Sequence, residues 1–346
     1  MRILVVRAGA LGDTLMATPV LRALATRYPG SAIDVLASGV AAPLLANHPH
    51  LGRVVALKWR NLPFAISLEK RALLRRLREA SYDLAVVLEQ APHYLDLVRR
   101  ARPGRIIGFH ETPFDPALSS AANNLRAAGF DDWATRPLAP EIFLTDRDLA
   151  EAAGVVTVRE PSPVVGLHSG YGPVRRSKRN QDGRLRGWKL ENFIDLGREL
   201  AARGMSIVLT GSAEDRPAVE RIAQGLPAGS FVNAAGALSV RGLAAAIGMM
   251  DAFVSVDSGP AHIAAAVGTP LVVLWGPGIL EQTRPIGARA PVLIVRHPPP
   301  CAPCYGTPLM RTCPRNICME SIAPDEVLRA TLTLVDNPQS AIDIQH

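Results

Sequence analysis

Asp257, Ser258, Gly259 and His262 stand where a short apolar run, Ala252–Val256, gives way to an Ala-rich one. The apolar run is partly β-branched, which predicts a buried parallel strand. Ser258 or Gly259 can cap a following helix, Pro260 suits its first turn, and Gly268 with Pro270 ends it. Leu271–Trp275 then reads as the next strand. Such a βαβ unit aims free N–H groups at the carboxyl edge of a sheet, where a phosphate bearing a polyhydroxyl group can bind. A plain, well-capped strand-to-helix turn fits the same residues equally well.

Three other strand exits carry polar chemistry. Gly9 and Gly12 let the backbone approach a ligand, and Asp13 opens a helix that runs through Leu15, Val20, Leu21 and Leu24. Asp13 is the expected N-cap of that helix. His168, Ser169 and Gly170 lead into a loop with Arg175, Arg176, Lys178, Arg179, Arg184 and Arg186. Arginine forks match phosphate oxygens, and a long polar loop also suits a mobile lid or a plain surface loop. Thr210, Gly211 and Ser212 precede Glu214 and Asp215. A carboxylate there can accept both hydroxyls of a ribose, or can simply complement a helix N-terminus. A lone His is more often structural than catalytic, so His168 and His262 are not assigned as catalysts.

These exits need elements to hold them. Strand signals fall at Arg2–Arg7, Ala32–Ala37, Arg53–Leu57, Leu84–Leu88 and Arg105–Phe109, with helical stretches between. They restart at Val164–Leu167 and recur at Ser206–Thr210, Ala252–Val256, Leu271–Trp275 and Val292–Val295. The alternation predicts an α/β chain of two doubly wound domains, residues 1–155 and 156–346, with the Pro-rich stretch 137–163 as linker. Ser67–Ala80 is a helix whose polar face carries Lys70, Arg71, Arg75, Arg76 and Arg78: a solvated face, or a patch for an anionic acceptor or lipid headgroup. Pro324–Val335 reads as a final amphipathic helix.

At 346 residues and 48% hydrophobic content, the chain can build two large cores. Its net charge of +7 suits anionic partners. No motif supports nucleic acid as one of them. Neither glycine-rich turn fits the G-x-G-x-x-G dinucleotide fingerprint, which disfavours a nicotinamide enzyme. The N-terminus is not a signal peptide and no run is long enough for a membrane span, so a cytoplasmic protein is expected. Cys301, Cys304, Cys313 and Cys318 cluster in one Pro-rich segment. Four thiolates there could hold a structural zinc; iron–sulfur binding, disulfides and free thiols stay open.

The segments MRILVVRAGALGDTLMATPVLRAL, VGLHSG with RGWKLENF, LTGSAEDR and VSVDSGPAHIAAAVGTPLVVLWGP together resemble glycosyltransferase family 9, the heptosyltransferases of lipopolysaccharide core assembly. The resemblance spans nearly the whole chain. It implies the GT-B fold: two Rossmann-like domains facing a central cleft, the acceptor on the first and the nucleotide-sugar donor on the second. It implies an inverting, metal-independent transfer, with heptose from ADP-heptose as the expected donor and a lipopolysaccharide-type glycan or glycolipid as acceptor. No cofactor is required, and any membrane contact would be peripheral, at the inner face.

By that resemblance Asp13 is the general base, with Gly9 and Gly12 on the acceptor side. Ser169, Gly170, Arg186, Gly211, Glu214, Asp257, Ser258, Gly259 and His262 make the donor site. Glu214 or Asp215 contacts the ribose, Asp257 the sugar, and Arg186 the diphosphate. The chain departs from the family pattern in a long loop from Gly172 to Gly187 and in Gly187 standing between Arg186 and Trp188. A sugar-nucleotide epimerase and a non-catalytic nucleotide-sugar-binding protein remain the alternatives.

Overall fold

Residues 1–58, 67–157, 162–170, 185–313 and 315–338 are described by a computed structural model. The chain divides into two units, Met1–Phe143 and Leu144–His346. Each is built on a parallel sheet.

The first unit carries β1 (Arg2–Arg7), β2 (Ala32–Ser38), β3 (Leu51–Leu57), β4 (Leu84–Val87) and β5 (Arg105–Gly108) in the order β3-β2-β1-β4-β5. Ile3–Val6 of β1 are at most 1% exposed, because helices cover both faces of the sheet. One face buries α2 (Thr18–Arg27) and α5 (Ser120–Ala127) through Val20, Leu21, Leu24 and Leu125. The other buries α3 (Leu68–Ala80) and α4 (Pro92–Ala101) through Leu73, Leu77, Tyr94, Leu97 and Val98. Ser67 caps α3 by accepting from Lys70 N at 3.2 Å.

The helix expected after Asp13 is in fact two. A five-residue α1 (Leu11–Leu15) ends at Met16, and α2 begins afresh at Thr18. Pro19 is the reason: it has no N–H to give and its ring would collide with the carbonyl of residue 15, so it is accommodated in a new first turn. Thr18 Oγ1 donates to that Leu15 carbonyl at 2.8 Å.

The second unit orders its strands β11-β10-β9-β6-β7-β8. They are β6 (Val164–His168), β7 (Ser206–Thr210), β8 (Phe231–Asn233), β9 (Ala252–Val256), β10 (Leu271–Leu274) and β11 (Val292–Val295). The helices are α6 (Asp146–Val155), α7 (Leu190–Ala202), α8 (Arg216–Gln224), α9 (Val240–Gly248), α10 (Gly259–Val267) and α11 (Pro324–Asp336), beside short single-turn pieces. Only β8 was not signalled by the sequence. It has three residues, none of them buried, so it shows no periodicity.

The division between the units falls at 143/144 rather than at the expected 155/156. The physical reason is α6. Asp148 accepts from Arg241 Nε at 2.9 Å and Nη2 at 2.5 Å, and Glu151 accepts from Ser239 N at 2.6 Å, clamping α6 onto the start of α9. Arg241 and the Asp148–Thr145 hydrogen bonds hold the Asp148 carboxyl far below the usual carboxylate range. Both side chains are nearly buried, at 12% and 9% exposed. Arg241→Met should therefore strand a buried carboxylate and cost about 3–5 kcal/mol in urea unfolding, with Asp148→Asn on that background recovering part of the loss.

Candidate functional site

In each unit the strand order reverses direction once, between β1 and β4 and between β6 and β9. Loops leaving neighbouring strands there diverge to opposite faces and open a crevice at the carboxyl edge. The polar residues singled out in the sequence fall largely at these two places.

In the first unit, Arg7 closes β1 and spans the reversal. Its Nη1 donates to the Leu88 carbonyl just past β4. Its Nη2 donates to Asp13 Oδ1 at 3.1 Å and its Nε to the Asp13 carbonyl at 3.2 Å. Asp13 is not the N-cap: Ala10 holds that position. Asp13 sits at the third helical residue and reaches back, accepting from Ala10 N at 2.9 Å. Its side chain stays 44% exposed while Arg7 is 12% exposed, so a buried cation aims a half-exposed carboxylate. Gly9 is required beside it, since a Cβ there would lie 2.5 Å from Asp13 Cβ. Ser38 Oγ, leaving β2, donates to the Gly9 carbonyl at 2.7 Å and fixes the turn. Gly12 and Thr14 are buried behind Asp13.

In the second unit, β6 delivers His168, Ser169 and Gly170 opposite Asp257 and Ser258 from β9. Gly170 has φ +58°, and a Cβ would lie 2.6 Å from Val256 Cγ2, so only glycine makes this turn. Ser169 is 4% exposed and its buried Oγ has no hydrogen-bond partner among the described residues. Ser258 is the N-cap of α10; its Oγ lies 3.1 Å from Ser255 Oγ and leaves the first α10 amides unoccupied by the cap side chain. His262 is buried on the same helix.

Arg186 Nη1 pairs with Asp257 Oδ2 at 3.3 Å and reaches the Asp257 carbonyl at 3.5 Å. Its guanidinium lies over the Tyr305 ring, 4.1 Å from the centroid. Two anchors fix its backbone: Trp188 Nε1 donates to the Ile322 carbonyl at 3.0 Å, and Asn316 Nδ2 to the Gly187 carbonyl at 2.9 Å. Trp188 is thus a core anchor, packed edge-on against Phe193, and Arg186 is what it holds in place. Burial pushes the Asp257 carboxyl up from the usual range and Arg186 pulls it back.

At the β7 exit, Asp215 Oδ2 accepts from Ser212 N and Oγ at 2.9 and 2.8 Å, so Asp215 is engaged in capping. Glu214 beside it is exposed, and Gly211 precedes them. Arg175, Arg176, Lys178, Arg179 and Arg184 lie outside the described residues.

The sequence did not single out Arg7, Tyr305 or Asn316. Arg7 was read as the end of an apolar strand, and the other two meet Arg186 and Gly187 only through the fold.

Cys304 and Cys318 are buried, Cys313 is half-buried and Cys301 exposed; none forms a disulfide. Burial, then the neighbouring thiols Cys304 and Cys313, push the Cys318 thiol up to about 11. Among the described residues no group of three or more His, Cys, Asp or Glu is arranged to hold a metal ion. Leu185, Cys304 and Met310 instead pack as a small apolar cluster with Cys313 against it. Among the described residues, then, nothing adds support to the zinc expectation.

The family model described as glycosyltransferase family 9 (heptosyltransferase) matches residues 182–310. The chain is a glycosyltransferase, and over that segment it is similar to family 9. It is 27% identical to lipopolysaccharide heptosyltransferase 2 of Salmonella typhimurium, over 85% of this chain and 88% of that protein. In structure it matches the Escherichia coli ADP-heptose lipopolysaccharide heptosyltransferase II with a TM-score of 0.78 at 23% identity, covering 98% of this chain and 100% of that one. An E. coli heptosyltransferase solved with ADP matches with a TM-score of 0.68 at 18% identity, over 95% and 98%. The enzyme therefore has the GT-B fold, and the segment matched by the family model contains Arg186, Asp257 and the start of α10. Among its described residues no helix is long and apolar enough to cross a membrane.

His168 offers a check on this geometry. It is buried, with Nδ1 3.0 Å from Thr210 Oγ1, and burial pushes its pKa down to about 4. Between pH 6.5 and 4 the unfolded chain binds a proton there and the folded enzyme does not, so stability falls as pH falls through that window. His168→Asn should remove a loss of about 2 kcal/mol between pH 6.5 and 5, seen as a flatter pH dependence of urea unfolding.

Proposed function

We propose that this enzyme transfers heptose from ADP-heptose, with inversion, to a hydroxyl of a lipopolysaccharide-type glycolipid. The names of its relatives support the donor and acceptor. The observations that carry the chemistry are two strand-reversal crevices of opposite character, one in each unit. One offers an exposed carboxylate aimed by a cation. The other offers a largely buried arginine, a helix N-terminus with no side-chain cap bond and a buried serine hydroxyl.

In this reading the acceptor hydroxyl gives its proton to Asp13 as its oxygen attacks the anomeric carbon. The bond from that carbon to the phosphate oxygen breaks, and ADP departs with the electron pair. Arg186, the N-terminus of α10 and the Ser169-Gly170 turn stabilise the charge growing on the diphosphate. Asp257, buried beside Arg186, accepts from hydroxyls of the donor sugar, and Glu214 from the ribose. Gly211, Gly259 and His262 shape the same donor surface, while Gly9 and Gly12 let the acceptor approach Asp13. Arg7 fixes the direction in which the carboxylate points. The cationic set does the work a divalent ion does in other transferases, so no metal is required.

Asp13→Asn should reduce transfer at least about a hundredfold, the lower range for loss of a general base, while ADP still raises the melting temperature as in the wild type. Transfer at near wild-type rate by this variant would remove Asp13 from the mechanism. EDTA should leave both turnover and the ADP-induced stabilisation unchanged. A loss of turnover restored by magnesium would overturn the metal-independent reading.

A further inference from the structure

We propose that Asn124 on α5, together with Thr18, positions Asp13 by holding the end of α1. The proposal rests on the reading of Asp13 as the proton acceptor, and its test separates the two.

A helix of five residues cannot hold itself, because one turn fixes more backbone angles than its own hydrogen bonds offset. The direction of the Asp13 carboxylate therefore depends on what fastens α1 to the rest of the unit. Arg7 fastens it from the β1 side, through the Asp13 side chain and carbonyl. The far end meets a difficulty that Pro19 creates. In an uninterrupted helix the Leu15 carbonyl would accept from residue 19, and proline has no N–H. The Met16 carbonyl would accept from Val20, but Val20 N turns to the Ala17 carbonyl at 3.1 Å as α2 begins. Two carbonyls are left over at the end of α1, on residues that are 0% and 1% exposed.

The other carbonyls of α1 are satisfied close by. That of Gly12 accepts from Met16 N at 2.9 Å, that of Thr14 from Ala17 N at 3.1 Å, and that of Asp13 from Arg7 Nε at 3.2 Å. The two left over are met by side chains. Thr18 Oγ1 donates to the Leu15 carbonyl at 2.8 Å and itself accepts from Glu141 N at 3.0 Å. Asn124 Nδ2 donates to the Met16 carbonyl at 2.9 Å, across 108 positions of the chain. Met16 stands about one turn after Asp13, so a shift at Met16 swings the carboxylate against Arg7.

Stability of α5 does not account for Asn124. The residue is 1% exposed, between the buried apolar residues Ala121, Ala122 and Leu125. Its Oδ1 is buried with no hydrogen-bond partner among the described residues. Asparagine is a poor helix former, and a half-satisfied buried amide is worse for a core than an apolar side chain. The neighbouring Asn123 is different: its Nδ2 donates to the carbonyls of Asp115, Leu118 and Ser119, all within the turn that opens α5. What Asn124 adds that a leucine would not is the donor to Met16. Through it the α2–α5 core, packed through Val20, Leu21, Leu24 and Leu125, sets the place of α1.

The test is steady-state transfer by the full-length enzyme carrying Asn124→Leu. Leu77→Ala, in the core beneath α3, serves as a control for lost stability. Each variant is assayed well below its melting temperature. Asn124→Leu should lower kcat at least about tenfold, since a displacement of about 1 Å at a reacting group can cost a hundredfold. The rise in melting temperature on adding ADP should match wild type. Leu77→Ala should melt earlier and keep its kcat. On the Asp13→Asn background Asn124→Leu should change kcat by less than about twofold, because no base is left to aim. Should Asn124→Leu not fold, the isosteric Thr18→Val carries the same expectations. A smaller loss of kcat, an equal loss in Leu77→Ala, or the full loss repeated on Asp13→Asn would overturn the proposal. Near wild-type transfer by Asp13→Asn alone would overturn the reading of Asp13 and this proposal with it, and that result needs no Asn124 variant.

Discussion

Parallel pairing is the constraint from which the rest follows. Every strand pair among the described residues is parallel. A parallel pair cannot be closed by a hairpin, so each strand must return through a crossover that covers a face of the sheet. That burial removes water from strands such as Ala252–Val256, all fully buried, and it directs all strand exits to one edge. Polar residues at those exits then need no long-range design to meet. Asp257 and Ser169 become neighbours because β9 and β6 are paired, although 88 positions separate them in the chain.

The same architecture gives different chemistry in its two copies because burial differs at the two reversals. At the first, Arg7 is nearly buried and its carboxylate partner half-exposed. That suits the proposed proton acceptor, which must be reachable: exposure falls on the acid and the cation serves as its mount. At the second, both partners of the Arg186–Asp257 pair are largely buried. A buried pair carries a desolvation cost that its own attraction offsets only with good geometry. Here the Tyr305 ring and the anchors on Trp188 and Gly187 supply that geometry.

The sequence carried the architecture well because strands buried on both faces are short apolar runs, and helix ends are marked by residues such as Pro260 and Gly268. Its limits were local. One helix was read where Pro19 makes two, and Asp13 was read as an N-cap because cap and third position differ by one turn of a five-residue helix. The boundary was put after α6 because the chain order does not reveal that Asp148 and Glu151 bind Arg241 and Ser239, some ninety residues on. Asp257 and Ser258 were legible from their own turn. Tyr305 and Asn316 were not, because what they contribute is a contact with Arg186 and Gly187, and contacts across 119 and 129 residues leave no periodic trace.

The Arg186–Asp257 pair also bears on why arginine rather than lysine stands there. In the proposed reaction a departing diphosphate would meet a cation whose charge is already shared with a buried carboxylate. An ammonium is a point charge and would have to leave one anion to serve the other. A planar guanidinium stacked on a ring can keep one edge on Asp257 while the rest of the fork turns to phosphate oxygens. The partial positive charge of the α10 N-terminus adds to it without any rearrangement, since those amides are fixed by the helix itself.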